Sequence, residues 1–249
     1  MFASRLVDYG LGLLQDRFNK LRSRIVLACA TDEFYEIYND LNYGRKKFDR
    51  AETKEFRSDL WPWEGKAISQ YFPPPPGTVL IGAAGAGRES LALARQGYRV
   101  VAFEPVRQLA ASLADCGGLP VESLLGRYED LPMLNSLSRP SATIDLRSCP
   151  LFAAAILGWA SLSHLRSDQC CIETLRQFRQ LTHGPILISW VSPALGSNKR
   201  YFNVYGGYIR CFTGDEIRKM AKDAGLAVVD LAVVDYYDDK NWAVLSTTN

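Results

Sequence analysis

Apolar residues Val7, Leu11, Leu14, Phe18, Leu21 and Ile25 recur at alternating steps of four and three. That period predicts a helix with one narrow apolar seam. A seam of this kind packs on its own domain or pairs with a copy of itself. About three heptads is short for a coiled coil, which favours own-domain packing and leaves a homodimer through the N-terminal helix as the alternative. Residues 31–59 read as one or two further helices, with Thr31 or Asp32 as N-cap and with Tyr35, Tyr38 and Tyr43 along them. Trp61-Pro62-Trp63-Glu64 breaks this pattern, and Gly65–Tyr71 reads as a short helix. The run from Phe72 through four prolines to Gly77 suits neither helix nor central strand. It separates an N-terminal helical cap, residues 1–71, from a main domain, residues 77–249.

From Thr78 onward the period switches between two and 3.6. Strands are expected at Val79–Ile81, Tyr98–Phe103, Val121–Leu125, Ala153–Leu157, Pro185–Trp190, Ala227–Val234 and Trp242–Thr247. Helices at Glu89–Gln96, Val106–Ala114, Asp168–Leu181 and Gly214–Ala224 fall between them, and the polar stretch Gly126–Pro150 reads as irregular. The alternation predicts an α/β fold, a mostly parallel sheet covered on both faces. The segment Tyr236–Asn241 reads as the turn of a closing antiparallel hairpin.

Composition narrows the setting. The chain has 249 residues, a formal net charge of +2 and 47% hydrophobic residues. That is enough for one large domain and a helical addition. Arg45–Arg50 is the one dense basic run, and it reads as a solvated helix face, so no nucleic-acid partner is expected. The six cysteines include no C-x-x-C pair and there are only two histidines, so no metal site is expected. Asp8, Asp16 and Arg17 interrupt any signal-like apolar core, and no segment is apolar enough to span a bilayer. A cytoplasmic protein without a membrane partner is the expectation.

The chemistry concentrates in residues 78–107. A strand runs into the small-residue turn Gly82–Gly87, a helix starts at Arg88, and a second strand ends on Glu104. Glycine at such a turn lets a ligand approach the backbone, and helix N-terminal amides attract its acceptors. Glu104, 17 residues beyond Gly87, suits two ribose hydroxyls. An adenosine-type cofactor is implied. A nicotinamide enzyme would want glycine where Ser90 stands.

These features resemble the class I S-adenosylmethionine-dependent methyltransferases over about Trp63 to the C-terminus. The resemblance rests on the Gly loop, Glu104, Gly126-Arg-Tyr-Glu-Asp-Leu-Pro132, Ile156-Leu-Gly-Trp-Ala-Ser-Leu-Ser-His164, and the Phe212–Gly225 helix before the last hairpin. It implies a Rossmann-like seven-stranded sheet of order 3-2-1-4-5-7-6, the last strand antiparallel. It also implies S-adenosyl-L-methionine as cofactor and S-adenosyl-L-homocysteine as product. By position, Ala83, Gly85 and Gly87 would pass beneath the methionine part and Glu104 would hold the ribose. Arg127 and Tyr128 would lie near the adenine, and Leu157 and Gly158 beside the sulfonium. Trp159 would face a small-molecule substrate. Apart from the resemblance, Tyr35, Tyr38 and Tyr43 read as an aromatic cap over the site or as core packing, and Tyr201, Tyr205, Tyr208 and Arg210 as a substrate-facing loop or an ordered surface connection. His164 is the candidate base for O- or N-methyl transfer, since imidazole titrates near neutrality. Aminocarboxypropyl transfer or cofactor cyclisation, both releasing methylthioadenosine, is the alternative on the same architecture.

Overall fold

The computed structural model describes residues 2–43, 60–114, 117–137, 142–192, 200–203, 207–233 and 241–247. Among the described residues three helices come first: α1 (Phe2–Cys29), α2 (Asp32–Tyr43) and α3 (Pro62–Tyr71). Proline at the first position of α3 costs no hydrogen bond, and the Glu64 carboxylate accepts the Trp61 amide at 2.7 Å to cap it. The basic run and the second half of the expected 31–59 helical stretch lie outside the described residues, as does Cys116.

The expected alternation then appears. It runs β1 (Thr78–Gly82), α4 (Arg88–Arg95), β2 (Arg99–Glu104), α5 (Arg107–Ala114) and β3 (Val121–Leu125). After the short strands β4 (Met133–Ser136) and β5 (Thr143–Asp145) come β6 (Ala154–Leu157), α6 (Asp168–Leu181) and β7 (Ile186–Trp190). The chain ends with β8 (Arg200–Asn203), β9 (Gly207–Arg210), α7 (Gly214–Asp223), β10 (Leu226–Ala232) and β11 (Asn241–Thr247). Ser167 caps α6 by accepting the Cys170 amide, and Thr213 and Glu216 cap α7 reciprocally.

Among the described residues the main sheet has nine strands, in the order β10-β11-β7-β6-β1-β2-β3-β4-β5. Seven of them reproduce the expected 3-2-1-4-5-7-6 order, with β11 antiparallel to both its neighbours. The strand count is corrected from seven to nine. β4 and β5 extend the edge beyond β3 with antiparallel pairing, inside the stretch read as irregular. They are four and three residues long, too short to carry a period that separates strand from loop. The hairpin turn expected at Tyr236–Asn241 falls almost wholly on residues 234–240, outside the described ones.

Alternation along β1 sends Val79 and Ile81 to one face, with α3 and α4, and Leu80 to the other, with α6. The pair β8 and β9, between β7 and α7, forms its own two-stranded sheet. It packs between the N-terminal helices and the 3-10 turn Ser161–His164. α1 meets it through the buried hydroxyl of Ser23, which accepts the Phe202 amide at 2.8 Å. Own-domain packing of the N-terminal seam is overturned for the seam residues whose side chains are described: Leu14, Phe18, Leu21 and Ile25 are 64%, 65%, 57% and 55% exposed. Among the described residues, no helix is long and apolar enough to cross a membrane.

Candidate functional site

The carboxyl ends of β1, β2 and β6 meet where the strand order reverses direction about β1, the place where open α/β sheets gather ligands. β1 runs out at Gly82 into a turn in which Ala83, Gly85 and Gly87 all take positive φ, of 51°, 57° and 97°. Gly87 is required on two counts. It caps α4 in the left-handed region, and a Cβ there would lie 2.2 Å from Leu113 Cδ1. Across the turn, the Gly158 amide donates to the Gly82 carbonyl at 2.7 Å. A Cβ on Gly158 would sit 2.3 Å from the Ala83 oxygen, so only glycine permits this approach of the β6 end to the loop.

Glu104 ends β2 with its side chain buried at 5% exposure. One carboxylate oxygen accepts the Gly85 amide at 2.8 Å and the other the Val106 amide at 3.0 Å. The acid is thereby fixed at the mouth of the loop. An ionised carboxylate accepts only, so hydroxyl donors suit it chemically.

His164 closes the 3-10 turn that follows β6, and two hydroxyl contacts from this turn to β7 hold it. Ser189 accepts the Ala160 amide at 2.8 Å and Ser163 accepts the Val191 amide at 2.9 Å. The ring bridges two elements distant in sequence. Nδ1 lies 2.9 Å from the Tyr208 carbonyl of β9, and Nε2 lies 3.3 Å from the Tyr43 hydroxyl at the end of α2. A carbonyl can only accept, so Nδ1 carries the proton and Nε2 presents a lone pair to the Tyr43 O–H. Burial lowers the His164 pKa from its usual value, against the Tyr208 carbonyl, which raises it. Burial first, and then the charge of Glu104, push the Tyr43 hydroxyl well above the usual tyrosine range. Tyr43 packs on Ala86, Val106 and Leu109, so it reaches from the histidine to the glycine loop.

Trp159, 43% exposed, faces Trp61 with ring centroids 6.3 Å apart. Together with Glu64, Glu89 and Leu157, Trp159 lines a narrow crevice between α3, α4 and the β6 end. The Arg88 guanidinium lies 5.2 Å over the Trp61 ring and forms a bidentate pair with Glu64 at 2.6 and 2.7 Å, with a further bond to Glu89 at 2.8 Å.

The structure therefore brings Ala83, Gly85, Gly87, Glu104, Leu157, Gly158, Trp159 and His164 to one end of the sheet. Others stand apart. The Tyr128 ring is packed in the core against Phe103 and Phe178, its hydroxyl 2.6 Å from Ser161. Arg127 is half-buried at the end of β3, its amide donating to Asp130. Tyr38 stacks edge-on with Phe202 at 4.6 Å, on the hairpin rather than on the histidine. Tyr205 lies outside the described residues. The sequence reading took Tyr43 as part of an aromatic cap over the site or as core packing, and it did not pick out Trp61, Glu64 and Arg88 as site residues. The adjacency of Arg88 and Glu89 to the glycine loop was the signal available for one of them.

No protein-family model matches this chain, and no curated protein sequence does. Solved structures match well. A 1,6-didemethyltoxoflavin-N1-methyltransferase from Burkholderia thailandensis, with bound S-adenosylhomocysteine, aligns over 88% of this chain and 92% of its own. The TM-score is 0.60 and the identity 20%. A SAM-dependent methyltransferase from Leishmania major aligns over 85% and 81%, with TM-score 0.57 and 14% identity. This chain has the methyltransferase fold. A magnesium protoporphyrin IX methyltransferase from Synechocystis, with bound SAM, covers 88% of this chain and 99% of its own at TM-score 0.53 and 14% identity. Within the methyltransferase fold, the loop Gly82–Gly87 and Glu104 occupy the carboxyl ends of the first two strands.

Proposed function

We propose that this protein is an S-adenosylmethionine-dependent methyltransferase acting on a small molecule, at oxygen or nitrogen. One observation carries the reading. The glycine loop with its clamped acid and the hydrogen-bonded Tyr43–His164 pair lie at the same end of one sheet, joined by Tyr43 itself. The residues present fit the cofactor. Glu104 would accept the ribose hydroxyls, Gly82–Gly87 would let the backbone approach the methionine part, and Leu157 with Gly158 would border the sulfonium. When bound, the cofactor supplies an electrophilic methyl group.

The chain's own task is alignment and proton handling. His164 is neutral at neutral pH, since burial lowers its pKa. Its Nε2 lone pair faces Tyr43, so an acceptor's proton leaves through the tyrosine. The Tyr43 oxygen takes the acceptor's proton as its own passes to Nε2, leaving an imidazolium and a neutral phenol. The charge of Glu104 opposes a standing tyrosinate, which favours this concerted relay. Trp159, half-exposed, offers a flat apolar wall for the acceptor. Methyltransferases of the same fold whose names specify toxoflavin and porphyrin substrates favour a small acceptor.

Calorimetry with S-adenosylhomocysteine tests the reading. Binding is expected, and Glu104→Ala is expected to weaken it by roughly 1–3 kcal/mol through lost hydrogen bonds to a charged acceptor. Absence of binding at millimolar cofactor rejects the enzyme. Mass spectrometry of turnover products should show S-adenosylhomocysteine, and methylthioadenosine instead would reject methyl transfer.

A further inference from the structure

α1 is seated back to front. In a helix with a narrow apolar seam, the seam normally faces the body and the opposite side faces water. Here Ser23, opposite the seam, is buried against β8, while Leu14, Phe18, Leu21 and Ile25 face outward. α2 repeats the arrangement. Tyr35 and Tyr38 pack on Phe202 and Tyr208, while Phe34, Ile37 and Leu41 are 40%, 54% and 61% exposed. Two neighbouring helices thus each carry an outward stripe of large apolar side chains, an arrangement that marks an interaction surface.

The two helices differ in charge. The sequence of α1 from Leu14 onward holds four cations, Arg17, Lys20, Arg22 and Arg24, against the single acid Asp16. The sequence of α2 holds four acids, Asp32, Glu33, Glu36 and Asp40, and no Lys or Arg. Pairing α1 with α1 would set cations against cations. Pairing α1 of one copy with α2 of another joins the apolar stripes and sets a basic helix beside an acidic one, and a two-fold axis makes that contact twice. With seven outward apolar side chains per copy, at roughly 100 Å² apiece the stripes present about 700 Å², near the ~800 Å² per partner of a standard interface.

We propose that this chain forms a two-fold homodimer in which α1 of each copy lies on α2 of the other. The dimer is independent of the methyl-transfer reading, since the stripes stand on the helices' outer side, away from Glu104 and His164.

Sedimentation equilibrium of the full chain tests it. At tens of micromolar the wild type should run as a dimer, and the double variant Phe18→Glu/Leu21→Glu as a folded monomer with unchanged far-ultraviolet circular dichroism. Because these positions are exposed, the variant should fold, and Ile37→Glu on the other stripe gives a second route to the same outcome. Raising salt should weaken association at least tenfold, since the two helices carry opposite charge. A monomeric wild type overturns the proposal, including one that instead sediments with anionic phosphatidylglycerol vesicles. A dimer strengthened by salt overturns the α1-on-α2 arrangement. Leu21→Cys in a Cys29→Ser background discriminates further: ready disulfide formation between copies would place α1 on α1 and reject it.

Discussion

The N-terminal segment is attached to the sheet in two different ways. α3 is part of the core: Ala67, Ile68 and Phe72 are buried with Val79, Ile81 and Leu93, and Glu64 is locked to Arg88 with side chains 4% and 7% exposed. α1 and α2 lie on the hairpin β8–β9 through an aromatic cluster, one serine and one tyrosine, with their apolar stripes turned outward. The first attachment is apolar burial around a desolvated ion pair. The second is a docking contact that leaves most of its apolar surface unused. The contrast identifies α3 as scaffold and α1–α2 as the element free to be positioned by ligand or partner, because regions with few buried contacts open at the lowest cost.

The largest break in this contrast should come from α3. Glu64→Ala leaves the Arg88 guanidinium buried with only Glu89 beside it, and stability should fall by about 3–5 kcal/mol in chemical denaturation, with the whole domain affected. Replacing both partners at once, Glu64→Met with Arg88→Leu, should cost much less, because no charge is stranded. On the hairpin side, Phe202→Ala removes the ring that Phe34, Tyr35 and Tyr38 all touch, and about 3 kcal/mol is expected. Here the loss should appear as faster hydrogen exchange in α2 while β1 and β6 keep their protection. Equal deprotection of the sheet would erase the distinction. Ser23→Ala sharpens the same point at about 1 kcal/mol, the worth of one hydrogen bond whose amide partner stays buried.

How these two regions read in the sequence follows from the same physics. The strands and helices from Thr78 were legible because burial on two faces forces near-continuous apolar runs such as Val79–Ile81, broken by helical periods. β4 was not, because Met133–Ser136 alternates exposed and buried over only four residues at a sheet edge. In the site, Gly87 and Glu104 were legible since a positive φ and an anchored acid are local demands. Tyr43 with His164 was not: they are 121 residues apart and meet only because the hairpin holds α2 over the turn after β6. Tyr128 is the converse case. Its position in a motif suggested a ligand contact, while its ring fills the space that Gly82 leaves, where a Cβ would come within 2.6 Å of it. The period of α1 marked a stripe, but the packing of that stripe on its own domain was expected wrongly, since a helical stripe is defined before any docking partner is chosen.

Tyr43→Phe is the smallest perturbation and the most discriminating. The ring's apolar contacts with Ala86, Val106 and Leu109 survive, so stability should change by no more than about 1 kcal/mol. The hydroxyl that His164 Nε2 contacts is gone, so proton removal loses its relay. Turnover of an acceptor that the wild type methylates should fall by roughly 10²-fold, with S-adenosylhomocysteine affinity nearly unchanged. The pH profile adds a sign. His164 works as a neutral base with a pKa below the usual 6.5, so the wild-type rate should be flat near neutrality and decline only as pH falls into that lower range. His164→Gln should abolish this acid limb and lower the rate at every pH. An acid limb that persists in His164→Gln would assign the titration to the acceptor, and an unchanged rate in Tyr43→Phe would leave α2 as packing alone, removing the functional half of the contrast with α3.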